Sequence, residues 1–402
     1  MKFNVIEICA GVGGFGLGFG EFGHVLSAVE WDRAAAGVYQ YNNPEVEMFS
    51  DLTKIEATDL PWDADNLVIC GGTPCQAFSV AGKRGSLSDD RGNLALTFNN
   101  LCDAIDDLRL NAGKEPAIII WENVCGVLNT DDNAFGCVLA GMAGSDSPLV
   151  PVGEQRWTNS GMVVGPRRNV AFRVLDSQYF GVAQRRRRIF AVAIGGSRKW
   201  AAPEALIPFQ KSLPRNPKKG ESSVEGSPGN AGSSFTGTSF GKYEEGVGTL
   251  RSQGGDLGGG SETLAVDVYN GEITGETAVT VTSATGIANA SGPKVIGWNG
   301  DVTPKAAEDV SVTLRSQQGG EGVGVAQNLT VRRLSSVECM RLQGWPDTHC
   351  DFKMELEPDG NRWKPTGKVV KQAEGPKYRQ AGNGVTANVI KYIAEKLANA
   401  TK

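Results

Sequence analysis

The sequence predicts an α/β fold: a doubly wound, mostly parallel sheet that carries a smaller β-rich unit. Three observations support this. Short apolar runs alternate with helical patterns through the first 125 residues, and a glycine-rich turn follows the first run. Residues 221–330 then hold 22 of the 53 glycines, with little helical periodicity. Strand–helix alternation implies parallel pairing, because parallel neighbours need a crossover connection.

Each element can be read in order. "FNVIEICA" is a strand that feeds the glycines of "GVGGFGLGF" and a helix. "HVLSAVE", "NLVICGG" and "AIIIWENV" are the next strands, and "LALTFNNLCDAIDDL" has the apolar spacing of an amphipathic helix. "AFRVLDSQYFGV" and "RRIFAVAI" are two more strands near the sheet edge, joined by a tight turn at Gly181. An insertion at about 144–168, basic through Arg156, Arg167 and Arg168, precedes them. "KSLPRNPKKG" reads as a hinge into the glycine-rich part. There, alternating runs such as "TAVTVTSA" and an echo, "TLRSQGG" at 249–255 and "TLRSQQGG" at 313–320, suggest repeated hairpins; a low-complexity linker is the alternative. Regular structure returns at "VRRLSSVECMRLQGWPD", where Ser335 or Ser336 can cap a helix. "EPDGNRW" signals a hairpin turn, and "GVTANVIKYIAEKLANA" is an amphipathic helix after a glycine-rich turn. The expected division is 1–198, 199–330 as a variable insert, and 331–402 returning to the first unit.

Composition narrows the function classes. The start meets glycine rather than a signal-peptide core, and no apolar run can span a bilayer, so a cytoplasmic protein without a membrane partner is expected. Eight scattered cysteines lack a C-x-x-C pair, and there are only two histidines, His24 and His349, so no metal site is expected. The net charge of −5 hides an asymmetry: residues 151–220 carry 14 basic and 3 acidic side chains, whereas residues 1–150 carry 8 and 21. Local charge decides polyanion binding, so an acidic average does not exclude nucleic acid.

The chemistry-bearing residues gather at strand ends. Gly11, Gly13 and Gly14 let backbone approach a ligand, although they do not form a G-x-G-x-x-G fingerprint. Glu30, about 20 residues on, ends the second strand, where a carboxylate can accept from both ribose hydroxyls. Trp31 beside it offers a face for a purine ring. Cys75 follows Gly72 and Pro74 at the third strand end, and Glu122 closes the fourth. A thiol and a carboxyl on adjacent strand ends suit covalent catalysis. "QRRRRIF" at 184–190 reads by itself as a solvated basic tract or as part of a site.

Taken in order, "EICAGVGGFGLGF", "EWD", "SDLTKI", "GGTPCQAFS", "ENV", "QRRRRIF", "RRLSSVECMRLQGWPD" and "YRQAGNGVTANVI" resemble the DNA (cytosine-5)-methyltransferases of bacteria and phages. These motifs cover roughly 4–195 and 331–395 and leave out the region where that family keeps its target-recognition domain. The resemblance implies a sheet of the S-adenosylmethionine-dependent methyltransferase type. It also implies S-adenosylmethionine as cofactor and a monomer acting on double-stranded DNA in restriction–modification or phage DNA protection. It places Phe15, Gly11, Gly13, Gly14, Glu30, Trp31, Asp51, Leu52, Gly72, Pro74, Leu94, Asn383, Gly384 and Val385 around the cofactor, with Asp51 at the adenine amino group. Cys75 would attack C6 of a flipped-out cytosine, Glu122 would bind its N3/N4 edge, and Arg186 and Arg188 would complete the catalytic set. Gln76, Ser79 and Gln184 would meet the substrate DNA. In a strand Gln184, Arg186 and Arg188 share one face, and Arg185 and Arg187 the other. Thr249 with Arg251, or Thr313 with Arg315, would read bases. The chain departs from the pattern in "TPC", where a second proline is usual, and in Gly384, where serine is common. RNA cytosine methyltransferases resemble it too, but show a Cys-Phe-Thr tripeptide that is absent here. An inactive relative would lack one of the catalytic groups. Exocyclic-amine enzymes use Asn/Asp-Pro-Pro-aromatic in place of Pro-Cys-Gln.

Overall fold

Strands buried on both faces need no polar side, and this sequence supplies such strands in its first half. In the computed structural model they are β1 (Phe3–Ile8), β2 (Gly23–Val29), β3 (Glu47–Phe49), β4 (Leu67–Gly71) and β5 (Ile118–Val124). They are followed by β6 (Ser160–Val164), β7 (Arg168–Asp176) and β8 (Arg187–Gly195). The structure describes residues 2–74, 94–151, 156–195 and 330–400, and four short strands between these blocks. Those strands are β9 (Phe235–Gly237), β10 (Tyr243–Glu245), β11 (Lys294–Ile296) and β12 (Gly324–Gln327). β9 pairs with β10, and β11 and β12 join β13 (Thr330–Arg333) in a separate antiparallel sheet. β14 (Phe352–Asp359) and β15 (Arg362–Lys371) complete the list.

The main sheet has the order β14-β15-β3-β2-β1-β4-β5-β8-β7-β6. β3, β2, β1, β4 and β5 run parallel, and β8 is antiparallel to both β5 and β7. Period-two alternation divides the apolar runs between two cores. Ile69, Ile119, Trp121, Ile189 and Ala191 face α3 (Leu94–Asn111) and α4 (Ala134–Ala143). Val68, Cys70, Ile118, Ile120, Phe190 and Val192 face α1 (Gly14–Phe19) and α7 (Ala387–Ala400). α2 (Arg33–Asn42) starts at Asp32, whose carboxylate accepts from Ala34 and Ala35 N–H. α5 (Ser336–Leu342) opens with the expected capping box, Ser335 exchanging hydrogen bonds with Glu338.

Several expectations need correction. β8 is not near the sheet edge; it lies between β5 and β7, with the unforeseen β6 outermost. It begins at Arg187, so Gln184, Arg185 and Arg186 precede the strand. The stretch expected as a glycine-rich turn is mostly helix, α6 (Glu374–Asn383), and only the last part of the motif turns. Helix propensity argued against it because of Gly375 and Gly382, but packing overrides that cost. β3 is only three residues long and carries no period of its own. Arg167 and Arg168 do not form a free basic patch. Arg168 is fully buried, pairs with Asp103 and Asp106 at 2.7 Å each, and ties β7 to α3. Arg167 reaches Asp107 at 2.5 Å.

Candidate active site

Strand order reverses between β2 and β4 around β1, and the loops that follow the parallel strands meet above that switch point. After β1 the chain turns sharply through Cys9 at φ 53°, Gly11 at φ 57° and Gly13 at φ 95°. These positive values favour glycine, and a Cβ on Gly11 would project into open space. The turn is fastened from both sides. Glu30 accepts from Gly11 N–H and Asp32 N–H, both at 2.7 Å, and Ala10 N–H donates to Val29 O at 2.9 Å. Burial pushes the Glu30 carboxyl up, against the pull of those N–H donors. Trp31, 71% exposed, stands at the same edge. Below the turn Glu7 is fully buried and accepts from Phe15 N–H, Gly16 N–H and the Tyr39 hydroxyl. Burial raises its carboxyl to about 7, and those three hydrogen bonds hold it from rising further. His349 Nε2 donates to Val12 O at 2.7 Å, so α5 and the segment behind it also hold the turn.

Asp51 follows β3. Its carboxylate caps the short turn Leu52–Lys54, accepting from Thr53 N–H and the Thr53 hydroxyl, with Lys54 at 3.3 Å. Burial pushes this carboxyl up, but the Thr53 donors and Lys54 outweigh it and hold it below its ordinary value. Glu30, Trp31 and Asp51 therefore occupy neighbouring strand ends, as Val29 pairs with Phe49 in register. A nucleoside could be gripped there by two carboxylates and an aromatic face.

Two strands further on, Gly72, Thr73 and Pro74 continue from β4 toward Cys75. Thr73 is buried; its hydroxyl accepts from Trp121 Nε1 at 2.9 Å and its carbonyl from Asn123 Nδ2 at 3.0 Å. This accounts for the "TPC" departure, since a proline could not accept the indole N–H. Glu122 lies beside Gly72, and its Oε1 is 3.1 Å from Arg188 Nε. That pairing follows from register: Val124 faces Arg188 and Glu122 faces Phe190 across β5 and β8. Arg186, also buried, donates to Gly384 O at 2.7 Å and to Gly382 O at 3.3 Å. Burial and the neighbouring Arg188 hold its guanidinium well below the usual value. Gln184 is fully buried, with neither amide atom hydrogen-bonded among the described residues. Arg185 lies 4.0 Å from Asp176, and Arg187 is exposed. Burial thus alternates as expected, although only Arg187 and Arg188 are in the strand.

The remaining candidates separate. Phe15 is buried in the core shared by α1 and α7. Gly14 is required for packing, since its Cβ would strike Val385 at 2.7 Å. Gly384 is required too: a Cβ there would sit 2.1 Å from Trp345, whose Nε1 donates to Val385 O. Asn383 is exposed at the end of α6, Leu52 is buried, and Leu94 opens α3. Cys75, Gln76, Ser79, Thr249, Arg251, Thr313 and Arg315 lie outside the described residues. Reading by residue type missed Glu7, Thr73, His349, Asn361 and Trp363. Of these only Glu7, a charge inside an apolar strand, left a visible signal. Among the described residues no cluster could hold a metal ion, and no helix is long and apolar enough to cross a membrane.

Solved structures with this fold include a methyltransferase of Entamoeba histolytica (TM-score 0.52, 13% identity, 100% of this chain and 99% of that one). Another is the Dnmt2 methyltransferase of Schizosaccharomyces pombe (TM-score 0.52, 15% identity, 99% of each chain). The main sheet thus has the fold of these two methyltransferases. Among curated relatives, the phage P1 protein named DNA N-6-adenine-methyltransferase is 32% identical over 91% of this chain. This chain spans 57% of the length of that relative, and 47% of the Bacillus subtilis type II methyltransferase M.BsuFI, which is 31% identical over 54% of this chain. The type II methyltransferase M.HaeII of Haemophilus aegyptius is 26% identical over 99% of this chain and 93% of its own length. The family model described as C-5 cytosine-specific DNA methylase matches residues 3–143 and 168–399, and its gap falls on the expected insertion. A match of that extent, over a sheet whose strand ends bring Glu122 and Arg188 together, places this chain in the C-5 cytosine-specific DNA methylase family.

Proposed function

We propose that this chain methylates C5 of a cytosine in double-stranded DNA, with S-adenosylmethionine as methyl donor and Cys75 as nucleophile. The observation that carries the reading is the Glu122–Arg188 pair, held beside the segment that leads into Cys75. Side by side, these groups present an acceptor and a donor. They complement a protonated cytosine, whose N3 and N4 donate and whose O2 accepts.

The residues at the strand ends fit the cofactor. Glu30 would accept from the ribose, Trp31 would face the adenine, and Asp51 would lie at its amino group. When bound, S-adenosylmethionine supplies an electrophilic methyl group. The other steps belong to the chain's own residues. The target base must leave the stack, at a cost on the order of a few kcal/mol. The Cys75 thiolate adds to C6 while Glu122 holds the protonated N3 and the N4 amine, which makes C5 electron-rich. Arg188 donates to O2, and its charge with that of Arg186 favours the thiolate. Once C5 carries the methyl group, a base takes the C5 proton and the Cys75–C6 bond breaks, restoring the ring double bond. Arg186 contributes from behind by fixing the carbonyls of Gly382 and Gly384. Host-DNA marking against a restriction enzyme and protection of phage DNA are both consistent with this chemistry.

The adenine-directed name of the phage P1 relative does not transfer. That match leaves a large part of the relative uncovered, and this sequence contains no Pro-Pro dipeptide to build an exocyclic-amine motif. Bisulfite sequencing of DNA from cells expressing the chain is the direct test. Methylated cytosines should recur in one sequence context with the native chain. They should vanish with Cys75→Ala, while DNA binding persists. Methylation surviving in that variant would sink the assignment of the nucleophile.

A further inference from the structure

The hairpin of β14 and β15 extends the sheet beyond β3 and reaches the strand ends that carry Glu30 and Asp51. Its turn residue Asn361 makes four hydrogen bonds there. Asn361 Oδ1 accepts from Ser50 Oγ and from Asp51 N–H, both at 3.0 Å, and Nδ2 donates to Asp51 O at 3.0 Å. Its own carbonyl accepts from Ser50 N–H at 2.9 Å. Both backbone groups of Asp51 are therefore held by one side chain from 310 residues away. Two residues on, Trp363 Nε1 donates to Glu30 O at 2.8 Å. Arg33, at the start of α2, donates back to Leu356 O. β15 pairs with β3 only at Arg362 and Phe49, so side-chain bonds rather than a long ladder join the hairpin to this edge.

We infer that the β14–β15 hairpin is a clamp for the adenosine end of the cofactor pocket, with Asn361 and Trp363 as positioning residues that set Asp51 and Glu30. The inference rests on the reading that Asp51 and Glu30 hold the adenosine. Its logic is entropic and geometric. A carboxylate two residues beyond a three-residue strand is not fixed by that strand alone, and each polar contact that pre-sets it spares ordering on binding. Capping by Thr53 orients the carboxylate, and Asn361 fixes the backbone from which it projects.

The test is calorimetric binding of S-adenosylhomocysteine to the full chain, with DNA affinity measured in parallel. Asn361→Ala should weaken S-adenosylhomocysteine about tenfold, and Trp363→Phe about threefold, because each removes hydrogen bonds of ordinary strength. DNA affinity should stay within twofold for both. Lys368→Ala breaks only the Lys368–Glu355 ion pair within the hairpin and should leave nucleoside affinity unchanged. Asp51→Ala separates the two levels of the argument. If it loses affinity while Asn361→Ala and Trp363→Phe bind like the native chain, the clamp is refuted and the pocket stands. If Asp51→Ala binds normally, the pocket assignment fails and takes the clamp with it. If Lys368→Ala weakens binding as much as Asn361→Ala, the hairpin acts only through general stability, which also overturns the inference.

Discussion

Glu7 shows how a single residue can carry a cost that the rest of the fold must offset. Its buried carboxyl sits at about 7, against an ordinary 4.5. Between those values the folded chain binds more protons than the unfolded one, so stability falls as pH rises through that window. The loss is about 3 kcal/mol once the group is fully ionised. Glu7→Gln removes the titration while keeping most of the shape. In urea unfolding, the stability of the native chain relative to Glu7→Gln should be higher at pH 5 than at pH 8. A gap that does not change with pH would refute the assignment. The carboxylate is kept because two oxygens are needed for three donors, the N–H groups of Phe15 and Gly16 and the Tyr39 hydroxyl. An amide oxygen cannot serve all three. Thr73 and Gly384 teach the same lesson. Each departs from the usual pattern, and each is explained by one tryptophan: Trp121 needs the hydroxyl, and Trp345 needs the space.

At the scale of elements, the approach to β8 decides what four consecutive arginines do. Arg188 enters the site because its strand is antiparallel to β5 and in register with Val124. Arg187 faces the other way and is exposed. Arg188→Ala should therefore cut the rate of methyl transfer at least a hundredfold, a loss of about 3 kcal/mol in transition-state stabilisation. Arg187→Ala should cost little at moderate salt. Single-turnover rates on the same duplex measure both, and equal losses would refute the alternating-face argument. Much of this element was legible in sequence, because period two needs only a strand and a starting residue. The position of β8 inside the sheet was not, since its apolar run is the same for any strand covered on both faces. α6 was illegible for a related reason. Its two glycines weaken the helical signal, and the buried Ala381, Gly382 and Lys377 side of the helix makes up the difference through packing.

At the scale of the whole molecule, the net charge of −5 is unevenly spread, with 14 basic and 3 acidic side chains in residues 151–220 against 8 and 21 in residues 1–150. Part of the basic excess in 151–220 is spent internally: Arg167 pairs with Asp107, Arg168 with Asp103 and Asp106, and Arg188 with Glu122. For the choice of DNA sequence we propose Arg251 and Arg315 of the repeated "TLRSQ" as bidentate readers of guanine. Methylation of a randomised duplex library by Arg251→Ala and Arg315→Ala should show altered base preference in one of them. Unchanged preference in both would remove these residues from the readout.

The sequence by itself determined the sheet type, four of its five parallel strands along the chain and the residue types at their ends. Glycine turns, apolar runs and capping residues act over a few positions and leave local marks. Tertiary structure alone decided which of those residues meet. It paired Glu122 with Arg188, packed Gly14 against Val385, spent Arg168 on a buried ion pair, and brought Asn361 to Asp51. The reason is physical: such contacts join residues tens to hundreds of positions apart, and strand register and sheet order, which local propensity does not encode, set the distance between them.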